Sequence, residues 1–277
     1  MKSTITRWSA RRHLVMLAAS VTLLASSGRA LLAQSSLPGY GPSSGRYRVD
    51  VATKQTQVQM GQSQEFSSTT NRLVSLTVAR NGAALSLSMI TDSASATTTA
   101  PVPPPDMSSL VGATLAGSMG ADGHVASSTV TDKAGKPMDA STALSMRSIL
   151  PRLKVGATQG ASWSDTTSTK GPQNGAEVST VNIVTYTLAG DTTIAGARGW
   201  KLTSTYAGTI DGAGNQSGAD FTIKGAITGQ GTMIIGAGGV FIGGNLSNEI
   251  KMTVDVPMAG MQIPITQQTT TIITRLP

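Results

Sequence analysis

The sequence predicts a mainly β protein: a single antiparallel meander of about 10–11 strands, forming a curved sheet or half-barrel, with one short central helix. Two observations predict this fold class. Apolar and polar residues alternate with period two through most of residues 46–275, which is typical of strands that bury one face. Turn-forming Gly, Asn and Asp residues separate the alternating runs.

The N-terminal stretch, MKSTITRWSARRHLVMLAASVTLLASSGRALLAQ, has a basic start, an apolar run from Leu14 to Ala25 and then small residues. This order is typical of a secretory signal peptide, which we assign to residues 1–33. The run of about twelve residues is shorter than the roughly 20 that a membrane-spanning helix needs, so we expect no transmembrane helix in the mature protein. Arg11-Arg12 partly matches a twin-arginine signal, and both export routes stay open.

Removal of residues 1–33 would take away five of the 21 Lys and Arg residues and none of the 14 Asp and Glu residues. The mature chain would carry a net charge of only about +2, so its charge gives no argument for nucleic acid as a partner. The chain has no cysteine, which excludes disulfides, thiolate metal sites and a lipid-anchor cysteine. We expect an exported protein, periplasmic or extracellular, and a monomer.

Residues 34–45 are rich in Pro, Gly and Ser and predict a linker, followed by a single β domain over residues 46–277. Asn81-Gly82 is a strong hairpin signal within the first three strands. Thr91 to Pro105 has no hydrophobic period and predicts a solvated loop. The predicted strands of this half are Arg46–Met60, Gln64–Arg80, Ala83–Ile90, Leu110–Met119 and His124–Thr131.

The only convincing helix begins at Asp139, a good N-cap, and ends before Pro151, which has no amide hydrogen to donate. Its apolar side needs a partner surface. Arg147 lies within that side, and two interpretations are open: its guanidinium reaches water past an apolar surface, or it binds an anion. The candidate ligand-binding residues are therefore Arg147, Leu144, Met146 and Leu150.

The second half repeats the meander without repeating the sequence. Its turns are predicted at Gly190-Asp191, Asp211-Gly212 and Gly243-Gly244. The glycines of GTMIIGAGGVFIGGN predict a turn between strands or a surface that another segment approaches closely. Its predicted strands are Glu177–Leu188, Gly199–Thr209, Ala219–Ile227, Gly231–Ile242, Leu246–Val256 and Gln262–Arg275.

The order of these features includes the hairpin LVGATLAGSMGADGHV, a short helix and a Pro151, Val155, Gly156, Trp163 element. In this order the chain resembles an uncharacterised family of secreted bacterial β-meander proteins and lipoproteins, and more loosely the lipoprotein-carrier (LolA-like) half-barrel fold. The resemblance implies no catalytic residues. The half-barrel analogy implies a curved sheet whose apolar concave face is partly covered by helix.

The residue inventory argues against an enzyme. After export one histidine remains, His124, and its place in a predicted turn is poor for a catalytic base. Most carboxylates stand beside glycine or at strand ends, where Asp forms turns, and Asp211 to Asp220 is interpreted as a hairpin rather than a calcium loop. We expect no metal and no cofactor.

The sequence thus predicts an exported, non-catalytic envelope protein that binds a lipid or other apolar ligand in a groove between the curved sheet and the helix. A structural or surface envelope protein without ligand is one alternative. An outer-membrane β-barrel is another, since amphipathic strands and a signal peptide fit it.

Overall fold

The computed structural model describes residues 36–59, 61–138, 142, 146–147, 149–173, 175–194, 197–216 and 218–277. The predicted signal peptide and most of the predicted helix lie outside these residues, although Thr142, Met146 and Arg147 are helical. The strands are β1 (Ser43–Gln59), β2 (Gln62–Asn81), β3 (Ala84–Thr98), β4 (Thr114–Met119), β5 (Val125–Thr131), β6 (Ser162–Gln173), β7 (Ala176–Ile194), β8 (Ala197–Gln216), β9 (Ala219–Gly236), β10 (Val240–Val256) and β11 (Met261–Arg275).

All eleven strands form one antiparallel sheet in the order β5-β4-β3-β2-β1-β11-β10-β9-β8-β7-β6. Neighbours in the chain are neighbours in the sheet, except that β1 pairs with β11 while β5 and β6 form the two edges. The sheet is not closed by pairing of β5 with β6 in the part of the chain that the structure describes. The prediction of a single meander of about eleven strands is confirmed.

Several predicted strand boundaries were wrong. Gly190 and Gly243 lie inside β7 and β10 rather than in turns, at positions where the pairing register shifts. Both have positive φ, which marks them as bulge residues in long strands. Asp211-Gly212 lies within β8, and β3 continues to Thr98 through the first part of the predicted loop. The actual turns of the second half follow residues 173, 194, 216, 236 and 256.

Each strand presents alternate side chains to an inner face, which carries a single hydrophobic core. Ten strands contribute buried residues to this core, and Trp163 packs against it from β6. A flat sheet of eleven strands would be about 50 Å wide at about 4.8 Å per strand, so its two edges share one core only because the sheet curves.

The core lies at one end of the strands. This core end contains the beginning of β1, the β2–β3, β4–β5, β7–β8 and β9–β10 turns, and the C terminus. The opposite end, called the groove end below, contains the β1–β2, β6–β7, β8–β9 and β10–β11 turns.

Two segments outside the sheet fill the core end, and together they are called the plug. One is residues 36–42, part of the predicted linker, and the other is residues 149–161. Leu37 is 1% exposed, and its amide donates to the carbonyl of Ala157 at 2.8 Å. The hydroxyl of Tyr40 donates to the carbonyl of Pro151 at 2.9 Å. The structure thus differs from the linker prediction, since residues 36–42 pack as part of the fold.

The glycine-rich β9–β10 turn is shaped by the plug. Gly239 has a φ of 75°, and a Cβ atom there would overlap the carbonyl oxygen of Gly39. Only glycine combines that backbone conformation with so close an approach. Both predictions for GTMIIGAGGVFIGGN therefore apply: it contains a turn, and another segment lies directly against it.

Candidate ligand-binding groove

The inner face changes character along the strands, as β10 illustrates. Phe241 is 2% exposed in the core, Asn248 follows in the middle of the strand, and Ile250 begins an apolar row that continues to Val256. β7 and β11 show the same sequence of apolar, polar and apolar positions. The inner face therefore has an apolar core, a polar belt and a second apolar surface at the groove end.

The second apolar surface encloses a cavity of about 790 Å³. Most of the residues around it are half-buried, so the cavity is a groove that opens to solvent. Its volume lies within the range of roughly 300–1,000 Å³ found for small-molecule sites. The lining residues come from β1 and β7 to β11: Gln55, Ala176, Val178, Thr180, Ile210, Ala219, Phe221, Ile223, Ile250, Met252, Val254, Val256, Ile263, Ile265 and Gln267.

The groove wall follows from local sequence. Along β10, Ile250, Met252 and Val254 face inwards, while the alternate residues Lys251 and Thr253 face outwards. Gly225 on the neighbouring strand deepens the groove because it has no side chain. A Cβ atom at this position would lie 2.7 Å from the Cβ of Met252. A larger residue at position 225 would therefore displace Met252 from the wall.

The wall nearest the belt is polar. Gln55, Gln267 and Thr180 line the groove there. The side-chain amide of Gln267 donates to the hydroxyl of Thr269 at 3.3 Å, and that hydroxyl lies 3.2 Å from the hydroxyl of Thr53. The groove thus ends, towards the middle of the sheet, in amide and hydroxyl groups.

Two asparagines of the belt carry buried amide oxygens. Asn182 follows Thr180 on the inner face of β7, and Asn248 precedes Ile250 on β10. The Oδ1 atom of each is inaccessible to solvent and has no hydrogen-bond partner among the residues that the structure describes. A buried polar atom without a partner is costly, so the belt holds unused hydrogen-bonding capacity next to the groove.

Among the residues that the structure describes, no charged side chain lines the groove. The charges of β10 lie on the outer face, where the ammonium of Lys251 contacts the carboxylate of Glu249 at 2.7 Å. Hydrogen bonds from Lys251 and from Gln268 lower the pKa of Glu249. The field within the groove is therefore set by amide and hydroxyl dipoles.

An inner-face charge on β2 was missed in the sequence. Arg72 of β2 is half-buried, and burial lowers the pKa of its guanidinium. The position of Arg72 in the alternation could have predicted its inward orientation. Arg72 lies two residues before Val74, on the same side of β2 as the buried Leu76 and Val78. It is not among the groove-lining residues.

The four predicted ligand-binding residues lie elsewhere. Met146 and Leu150 are buried in the core, at 1% and 8% exposure. Arg147 is exposed, and its Nη2 donates to the carbonyl of Ser128 on β5 at 3.4 Å. Leu144 lies outside the described residues. None of Met146, Arg147 and Leu150 lines the groove, so their role in binding stays a prediction.

Of the residues weighed for catalysis and metal binding, Asp122 and His124 lie between β4 and β5, whereas Asp211 and Asp220 lie in the strands of the β8–β9 hairpin. His124 is exposed after β4, and its amide donates to Oδ1 of Asp122 at 2.9 Å. Asn215 and Asp220 join β8 to β9 through a 2.7 Å hydrogen bond, as expected of a hairpin. Within the described ranges, no three His, Asp or Glu side chains are grouped to hold a metal ion. No helix in those ranges is long and apolar enough to cross a membrane.

Fold and site together define an open, eleven-stranded antiparallel meander with an uncharged apolar groove on its inner face. No family model matches the sequence, and no curated protein matches it. Among solved structures, OccK9 (OpdG) of Pseudomonas aeruginosa has a TM-score of 0.25 and 9% identity, over 84% of this chain and 99% of that one.

A BenF-like porin from Pseudomonas fluorescens Pf-5 has a TM-score of 0.24 and 7% identity, over 86% of this chain and 100% of that one. OccK8 (OprE) of Pseudomonas aeruginosa has a TM-score of 0.23 and 8% identity, over 85% of this chain and 99% of that one. Similarity at these TM-scores supports no conclusion about this protein.

Proposed function

We propose that the protein is an exported, non-catalytic envelope protein that holds a lipid or other apolar ligand in the groove. The observation that carries the proposal is the contrast between the two apolar parts of the inner face. The core is filled by strand and plug side chains, whereas about 790 Å³ at the groove end is not filled by any residue that the structure describes. Solvent-facing apolar concavities of this size are typical binding sites.

The size of the groove bounds the ligand. At roughly 30 Å³ per water-sized group, the cavity holds about 26 such groups. Burial of about 15 methylenes contributes about 12 kcal/mol, and association costs about 4 kcal/mol or more. At most about 8 kcal/mol remains, which corresponds to roughly micromolar affinity or weaker. A ligand with one long chain, or of similar apolar area, therefore suits the site.

The outer face argues against the outer-membrane alternative. A lipid-facing strand needs an apolar outward band about 25 Å tall. The outer face of β1 instead carries Arg46, Arg48 and Lys54, and that of β10 carries Glu249 and Lys251. These charges suit a face in contact with water. The export part of the proposal rests on the N-terminal sequence.

A matched pair of variants on β10 tests ligand binding. Val254→Glu places a carboxylate in the groove, whereas Thr253→Glu places the same group on the outer face of the same strand. Titration of the mature protein with the neutral fluorescent probe N-phenyl-1-naphthylamine should give saturable binding in the wild type. Val254→Glu should weaken binding at least tenfold, and Thr253→Glu should leave it unchanged.

The control for this pair of variants is that both remain folded. Both variants should keep the far-ultraviolet circular dichroism spectrum of the wild type, because position 254 is half-buried at an open site. No saturable binding by the folded wild type would favour the structural alternative, a protein without ligand. Equal weakening by both substitutions would move the binding site away from the groove.

A further inference from the structure

We infer that the ligand is an uncharged amphiphile, with a hydroxyl or amide group held at the belt and its apolar part along the groove; this inference rests on the proposed function. The argument starts from charge. None of the fifteen lining residues is ionisable as an acid or base near neutral pH. A carboxylate, phosphate or ammonium group within the groove would lose its hydration and meet no counter-ion.

Arg147, which the sequence suggested as a partner for an anion, does not provide a counter-ion for a ligand in the groove. Arg147 donates to Ser128 on β5, a strand that contributes no residue to the lining. Its guanidinium is exposed, so it interacts with solvent at a surface away from the lining strands. A ligand in the groove therefore gains nothing from carrying an anionic group towards Arg147.

The polarity of the lining sets the orientation of the ligand. On β11 the inward residues run from Ile263 and Ile265 to Gln267, in the direction of the belt. On β7 they run from Val178 to Thr180 in the same direction. Apolar residues thus surround the groove towards the turns, and amide and hydroxyl groups close it towards the middle of the sheet. An amphiphile matches this gradient with its polar group at the belt.

The belt also indicates the chemistry of that polar group. Gln55, Thr180 and Gln267 present side-chain amide and hydroxyl groups at the belt end of the groove lining. Side-chain amides offer both donors and acceptors, and so do hydroxyl and amide groups of a ligand. A carboxylate only accepts, and it adds the cost of a buried charge. A neutral hydrogen-bonding group therefore pairs with these three side chains better than an ion does.

The test compares head groups on one chain length. In displacement of N-phenyl-1-naphthylamine from the wild type, 1-tetradecanol should compete at a concentration at least tenfold lower than tetradecanoate or tetradecyltrimethylammonium at pH 8. Below the pKa of its carboxyl group, tetradecanoic acid is neutral and should approach the alcohol. All measurements are made below the micelle concentration of each amphiphile.

Neighbouring glutamines on β11 provide the variant and its control. Gln267 lines the groove, whereas the side chain of Gln268 donates outside it to Glu249 at 3.3 Å. Gln267→Leu should raise the Kd for 1-tetradecanol about tenfold relative to the Kd of the same variant for the probe. Gln268→Leu should change neither. Gln267→Lys should reverse the preference, favouring tetradecanoate over the alcohol, because it supplies the missing counter-ion.

The outcomes separate this inference from the proposed function. Tetradecanoate competing as well as the alcohol at pH 8, or Gln267→Leu and Gln268→Leu behaving alike, would overturn the neutral-amphiphile inference while the groove remains a binding site. Failure of the probe itself to bind would instead overturn the proposed function.

Discussion

The core end and the groove end are two parts of one inner face, built by the same strands with the same alternation, yet only the core end is filled. β9 shows the contrast: Ile235 is fully buried, whereas Ile223 lines the open groove. The difference comes from the plug, which brings Leu37 and Leu153 to the core end. A curved sheet alone does not fill its own concavity; chain segments outside the sheet decide which part becomes core and which stays a site.

The largest expected effect tests this contrast directly. Ile235→Ala should lower the free energy of unfolding by about 2–5 kcal/mol, because it leaves a cavity in packed surroundings. Ile223→Ala, on the same face of the same strand, should cost roughly 1 kcal/mol or less, since its side chain borders open space. Urea unfolding of both variants measures the difference. Equal losses would mean that the groove end is packed as tightly as the core.

A second test uses the tyrosines, all four of which lie in or against the core. Burial raises the pKa of Tyr40, Tyr47, Tyr186 and Tyr206. Unfolded tyrosines ionise near pH 10, so their contribution to stability is full below about pH 10 and is lost as the pH rises towards the folded pKa values.

The protein should therefore unfold cooperatively at alkaline pH, and tyrosinate absorbance at 295 nm should appear together with the loss of circular dichroism. Tyrosinate forming well before unfolding would show that the core end admits water. Val254→Glu, at the groove end, should leave the alkaline transition in place.

A smaller effect tests the plug. Tyr40→Phe removes the hydrogen bond to the carbonyl of Pro151 while keeping the ring. Because that carbonyl stays buried, we expect a loss of about 1–2 kcal/mol. Affinity for the neutral probe should not change, since the plug lies at the other end of the inner face. A change in probe affinity without a loss of stability would indicate that the plug regulates the groove.

The smallest expected effect concerns the outer face. Hydrogen bonds from Lys251 and Gln268 lower the pKa of Glu249, so this group stabilises the fold above its unfolded pKa of about 4.3 and loses that contribution as the pH falls through the lower folded value. Lys251→Met should move the pKa of Glu249, measured by NMR titration, towards its ordinary value. Ligand binding should not respond, because both residues face away from the groove.

Local sequence patterns predicted most of the strands, but they did not distinguish bulges within strands from turns between strands. Alternation predicted most strands and the β10 groove wall. β6 was missed because Trp163 is its one large apolar inward residue, and serine and threonine occupy most of the rest. Bulges at Gly190 and Gly243 were mistaken for turns, since a glycine with positive φ looks the same in sequence in either case.

The site was only partly predictable. An apolar groove was expected, but beside the helix, because the sequence does not show which inner-face residues the plug covers. That covering depends on contacts distant in the chain, such as Leu37 with Ala157. The amides at the end of the groove looked like ordinary strand residues in the sequence. Alternation shows which face of the sheet a side chain lies on, but it does not show whether the side chain lies beside the core, the belt or the groove.

The central position of β11 determines when the two halves of the sheet can pair during synthesis. Five strands, β1 to β5, lie on one side of it and five, β6 to β10, on the other, and the last strand of the chain joins them through Tyr47 opposite Arg275 and Val256 opposite Met261. A chain synthesised from its N terminus holds two unjoined half-sheets until β11 has been made. Until then the β1 and β10 edges are open to wrong partners. Loss of β11, Met261–Arg275, would leave two half-sheets with no strand between them.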